Sequence, residues 1–160
     1  MITYSLATLT WRLVVALLLG SILGIERTAA GKMAGLRTYA LVSLGAALFI
    51  VVAETISTQY LNLTTFDPLR MAAQIPLGIG FLGAGLVIFR ESKLTGLTTA
   101  AGLWLAAGVG MACGFGLFGL AIVAALLSLL VFLLGFIERP FQKHLNQTFV
   151  TEDHDDNGQS

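Results

Sequence analysis

Few side chains in this sequence could do chemistry, and they fall into short patterns. Glu26 and Arg27 are adjacent, and Arg37 follows after a short stretch that also holds Lys32. Asp67, Arg70 and Gln74 are spaced three and four residues apart, so one face of a helix would carry all of them. Arg12 and Glu54 each stand in a long apolar run, where a charge costs roughly 2.5 to 3.5 kcal/mol on insertion scales and so requires a partner or a task. Glu26, Glu54 and Asp67 are the metal candidates, because their carboxylates are the oxygen ligands that Mg²⁺ takes alongside several retained waters. Other chemistry is not assembled. His144 and His154 lie near the C-terminal end, far from the Ser and Thr of the apolar runs, so no nucleophile, base and orienter come together and no enzyme is expected. Cys113, alone in an apolar run, reads as a small buried hydrophobe. Gly78, Gly80 and Gly83 spell G-x-G-x-x-G, but in mid-segment and without a preceding strand, so no dinucleotide cofactor is expected.

The elements that must position these groups follow from composition. Apolar residues make up 56% of the 160 and charged residues 11%, against about 25% charged in an average soluble domain. The mean hydropathy is +0.86. A membrane-spanning helix needs about 20 largely apolar residues. Segments over about 6–25, 38–57 and 71–89 qualify, and 44 uncharged residues separate Lys93 from Glu138. As one helix that run would extend about 66 Å, twice the membrane, so it must fold back near Gly114, Gly116 and Gly119 into helices over about 97–113 and 117–137. The expected fold is an all-α polytopic membrane protein with five transmembrane helices in residues 1–140. A polar, acidic tail follows over 141–160, expected to be disordered in the cytoplasm. The lipid bilayer is thus the first partner, and no clustered basic face exists to bind nucleic acid.

Arg27, Lys32, Arg37, Arg90, Lys93, Arg139 and Lys143 all fall on one side of such a bundle, so the positive-inside rule puts the N-terminus out and the C-terminus in. Arg12 and Glu54 then lie in the outer half at depths where they can pair. Asp67-Pro68 suits a helix start, Asp as N-cap and Pro in the first turn, yet Arg70 and Gln74 extend the polar stripe and leave a polar site at the outer mouth open. Glu26, at the C-terminal end of a helix, opposes the macrodipole unless Arg27 or Arg37 compensates. Small residues at four-residue spacing let helix backbones approach closely in lipid. Gly20 and Gly24 on helix 1, Gly80 and Gly83 on helix 3, and Gly102, Gly110 and Gly114 on helix 4 are the expected packing positions. Leu at Gly110 should wedge the backbones apart, and Ala there should be far milder.

Five blocks, in order, resemble bacterial inner-membrane proteins of the MgtC/SapB family. They are Gly24-Ile25-Glu26-Arg27, Ala34-Gly35-Leu36-Arg37-Thr38, Asp67-Pro68-Leu69-Arg70-Met71-Ala72-Ala73-Gln74, Gly78-Ile79-Gly80-Phe81-Leu82-Gly83-Ala84-Gly85, and Gly96-Leu97-Thr98-Thr99-Ala100-Ala101-Gly102-Leu103-Trp104. The resemblance implies a multi-pass protein of the bacterial inner membrane, in a short form without the C-terminal cytoplasmic domain of better-known members. It implies a link to magnesium homeostasis and low-magnesium stress, through one of two modes of action. A regulator would bind another membrane complex, the F-type ATP synthase being one described for the family. A permease would bind or carry Mg²⁺, and a homo-oligomer would concentrate its few carboxylates around an axis. Thr28 and Tyr39 depart from the residues common in the family.

Overall fold

A computed structural model of the chain describes residues 5–59, 67–90 and 93–135. Among the described residues, five helices are long and apolar enough to cross a membrane. They are α1 (Leu6–Ala29), α2 (Leu36–Gln59), α3 (Pro68–Leu86), α4 (Leu97–Gly114) and α5, described over Phe118–Gly135. Several of the helix ends have a local cause. Ser5 caps α1 by accepting a hydrogen bond from the Thr8 N–H at 3.2 Å. Asp67 caps α3, with Pro68 in the first turn. Gly116, at φ +77°, takes the left-handed conformation that lets α4 turn into α5. The acidic tail expected over 141–160 lies outside the described residues.

The centre of the bundle is α2, flanked by the small-residue faces of α1 and α4. In lipid, apolar side chains gain nothing by leaving one hydrocarbon for another, so close backbone packing must hold such a bundle together. A Cβ on Gly20 would stand 2.6 Å from the Ser43 Cβ, and one on Gly24 would stand 2.6 Å from the Leu36 Cα. On α4, a Cβ on Gly110 would lie 2.0 Å from the Ser43 carbonyl oxygen, and one on Gly114 would lie 2.7 Å from the Ile50 Cβ. Gly102 faces the Tyr39 hydroxyl and the Phe132 ring. One apolar cluster joins Ala16 and Leu23 of α1, Tyr39 and Ala47 of α2, Ala106 and Val109 of α4, and Ala121 and Phe132 of α5.

The third helix differs from its expected form in two respects. It ends at Leu86, and the chain continues into a short antiparallel hairpin, β1 (Ile88–Arg90) and β2 (Lys93–Thr95), pairing Ile88 with Thr95 and Arg90 with Lys93. Val87, Ile88 and Phe89 are strand formers whose apolarity reads equally well as the end of a span. Gly96, at φ +90°, returns the chain so close to Leu86 that a Cβ would lie 2.0 Å from the Leu86 carbonyl oxygen. Gly80, placed by spacing among the packing residues, has nothing within 4 Å of a would-be Cβ. The contact on this helix is Gly83, 3.6 Å from the Ala100 Cβ of α4. The outward direction of Gly80 follows from α3 being the least enclosed span, with Leu77 and Phe81 also exposed.

Candidate functional site

The polar residues gather at three places, the first beneath the turn between α4 and α5. Arg12 and Glu54 meet there as an ion pair, with Arg12 Nη1 donating to Glu54 Oε2. The same nitrogen donates to the Gly114 carbonyl at 2.9 Å. Gly114 ends α4, and a terminal carbonyl lacks an intrahelical donor and carries the negative end of the helix dipole, so a guanidinium answers it in both respects. Gly116 passes directly over Arg12, where a Cβ would stand 3.4 Å from Nη2. Arg12 is 6% exposed. Its charge is neutralised and its donors used to tie together α1, α2 and α4.

The second place is the far end of α1. Arg27 Nε donates to Glu26 Oε2, which compensates the acid at the C-terminal end of the helix. The Arg27 guanidinium carbon lies 3.7 Å from the centre of the Phe132 ring, a cation–π contact between α1 and α5. Phe132 meets the Tyr39 ring edge to face, centroids 6.4 Å apart and planes at 85°. Tyr39 in turn donates to the Thr99 carbonyl at 3.3 Å. Glu26 Oε1 is buried with no hydrogen-bond partner among the described residues. Thr28 Oγ1 closes the turn by donating to the Gly24 carbonyl at 3.0 Å and accepting from the Leu36 N–H at 2.9 Å.

At the third place Asp67 Oδ1 accepts from the Leu69 N–H at 2.9 Å, the geometry of an N-cap. Asp67, Arg70 and Gln74 are all exposed. The two ion pairs found among the described residues are Arg12–Glu54 and Arg27–Glu26, so Asp67 and Arg70 share a helix end and not a salt bridge. Arg37, in the first turn of α2, is also exposed and stands on the wall of a groove between α2 and α3.

The structure therefore brings Arg12 to Glu54 and Arg27 to Glu26 but does not gather Glu26, Glu54 and Asp67. Among the described residues no three His, Cys, Asp or Glu side chains are grouped to hold a metal ion. Sequence reasoning gave no packing role to the hydroxyls that fasten one helix to the next, Thr28, Tyr39 and Ser43, the last donating to the Ala16 carbonyl at 2.8 Å. Ser43 is small enough to stand against the glycine faces while its hydroxyl reaches a neighbouring carbonyl.

Comparison with known proteins agrees with this architecture. The family model described as "MgtC family" matches residues 13–139. The "Putative magnesium transporter YhiD" of Escherichia coli is 42% identical over 125 residues, 75% of this chain and 57% of that protein. The "Protein MgtC" of Salmonella typhimurium is 46% identical over 117 residues, 73% of this chain and 48% of its own. A Synechocystis protein described as uncharacterized is 44% identical over 137 residues, 84% of this chain and 54% of its own. The chain thus spans about half the length of the curated relatives it matches. No solved structure matches. With the family model covering all but the ends of the chain and its spans forming a five-helix membrane bundle, this protein belongs to the MgtC family.

Proposed function

We propose that this protein is a regulator that acts by binding another membrane protein complex, in the bacterial inner membrane and in response to magnesium limitation. The link to magnesium is supported by the name of the E. coli relative. The observation that carries the regulatory reading is the employment of the carboxylates. Glu54 is paired with Arg12, Glu26 with Arg27, and Asp67 caps α3. A magnesium path needs oxygen ligands free to replace part of a tightly held hydration shell, and an arginine-paired carboxylate must first give up its partner. A partner-binding protein needs instead a stable bundle with an exposed flank, and α3 offers one, with Leu77 72% and Phe81 82% exposed. The N-terminus lies outside and the C-terminus inside in this reading, which rests on the positions of the cations.

One observation favours a permease, the buried and unpartnered Glu26 Oε1. The two readings separate in liposomes loaded with a magnesium-sensitive dye. A regulator gives no influx above empty vesicles, and mild-detergent purification from native membranes recovers a defined complex. Robust influx that disappears in Glu26→Gln overturns the regulatory reading in favour of the permease.

A further inference from the structure

We propose that the groove between α2 and α3 is a site for one anionic phospholipid, its phosphate at Arg37 and an acyl chain laid along the groove. This inference stands apart from the regulatory reading and holds or fails without it. The groove has a volume of about 670 Å³, within the roughly 300 to 1,000 Å³ of small-molecule sites. Its wall is built from successive turns of two helices, including Leu41, Gly45 and Phe49 on α2 and Gly78 and Leu82 on α3. Polar side chains on it are confined to Arg37, Thr38 and Gln74. Because α3 runs back along α2, Leu82 lies toward the Arg37 end and Gln74 toward the Phe49 end.

Length and charge select the occupant. From Arg37 to Phe49 the groove runs about 18 Å at 1.5 Å per residue, close to the ~15 Å depth of one leaflet. Arg37 is exposed and forms no ion pair among the described residues, so its charge is available where headgroups lie. The N-terminus of α2 adds the positive end of its dipole there, and Thr38 adds a hydroxyl. Basic pockets between spanning helices are the known setting for anionic headgroups. The groove is open midway, since Cβ atoms on Gly45 and Gly78 would meet nothing within 4 Å, which leaves room for an acyl chain.

Native mass spectrometry of the full chain, titrated with phosphatidylglycerol and phosphatidylcholine of matched acyl chains, tests the assignment. Wild type should retain phosphatidylglycerol about fivefold more strongly, the ratio equivalent to about 1 kcal/mol for one basic side chain near anionic lipid. Arg37→Gln should abolish the preference and Arg37→Lys should keep most of it. Gly45→Phe, placed where the groove has room for a ring, should fold normally and lose retention of both lipids. Equal retention of the two lipids by wild type, or a preference unchanged in Arg37→Gln, overturns the proposal. So does a photo-crosslinker at Gly78 that, in native membranes, joins polypeptide and no lipid.

Discussion

Gly110 of α4 and Ser43 of α2 meet backbone to backbone, so closely that a Cβ on the glycine would lie 2.0 Å from the serine carbonyl oxygen. The Ser43 hydroxyl meanwhile reaches the Ala16 carbonyl of α1. One residue of the central helix is therefore the meeting point of three helices, and it works through its backbone toward α4 and its hydroxyl toward α1.

The first prediction corrects the expectation that Ala would be mild at Gly110. The obstacle is a backbone carbonyl, which no rotamer change can move, so Gly110→Ala should destabilise by about 1 to 3 kcal/mol, the range of overpacking, and Gly110→Leu by more. Thermal unfolding in detergent measures both. Gly80→Ala, facing open space, is the control and should unfold with wild type.

Gly102 should behave differently, because its nearest obstacle is a side chain. A Cβ there would lie 2.2 Å from the Tyr39 hydroxyl oxygen and 2.9 Å from Phe132 Cζ. Gly102→Ala should be destabilised, and Tyr39→Phe in the same chain should return part of the loss by removing the closest atom. A double mutant no more stable than Gly102→Ala alone would show that the Phe132 ring, not the hydroxyl, sets the limit.

Breaking the Arg12–Glu54 pair from one side should cost more than removing both charges. Arg12→Leu takes the arginine from the part-buried Glu54 carboxylate, a loss of about 3 kcal/mol at the lower end of the range for buried pairs, since Glu54 keeps some exposure. Adding Glu54→Gln should recover a good part of it. Yield and unfolding temperature of the two single variants and the double variant form the cycle that measures the coupling.

Asp67 is tested by separating cap from charge. Asp67→Asn keeps a side-chain oxygen for the Leu69 N–H and should change stability by a few tenths of a kcal/mol, whereas Asp67→Ala should cost about 1 kcal/mol. Failure of Asp67→Asn to support growth in low magnesium at wild-type protein levels would assign the charge a task beyond the cap.

What could be read from the sequence was what depends on one helix at a time. The spans follow from apolar length, and the small faces of α1 and α4 from their spacing. The meeting of Arg12 with Glu54 follows from the depth of each in its span. What could not be read depends on which surface a helix meets. Spacing marks Gly80 and Gly110 alike as small, and only the placement of α2 against α4 distinguishes a packed glycine from an open one. Thr28, Ser43 and Ser128 illustrate the same limit for hydroxyls. Ser128 bonds the Ala124 carbonyl within its own helix, Ser43 crosses to another, and Thr28 does both.

The contacts among α1, α2 and α4 rest largely on glycine and alanine, which have no side-chain rotamers to exchange. A core of large side chains can accommodate a shift by rearranging them, but at the glycine and alanine contacts of this trio there is no side chain to rearrange. Any displacement imposed on it must be carried across as a rigid movement or refused. That constraint is weakest at α3, the least enclosed span, whose Gly78, Gly80 and Gly85 face open space.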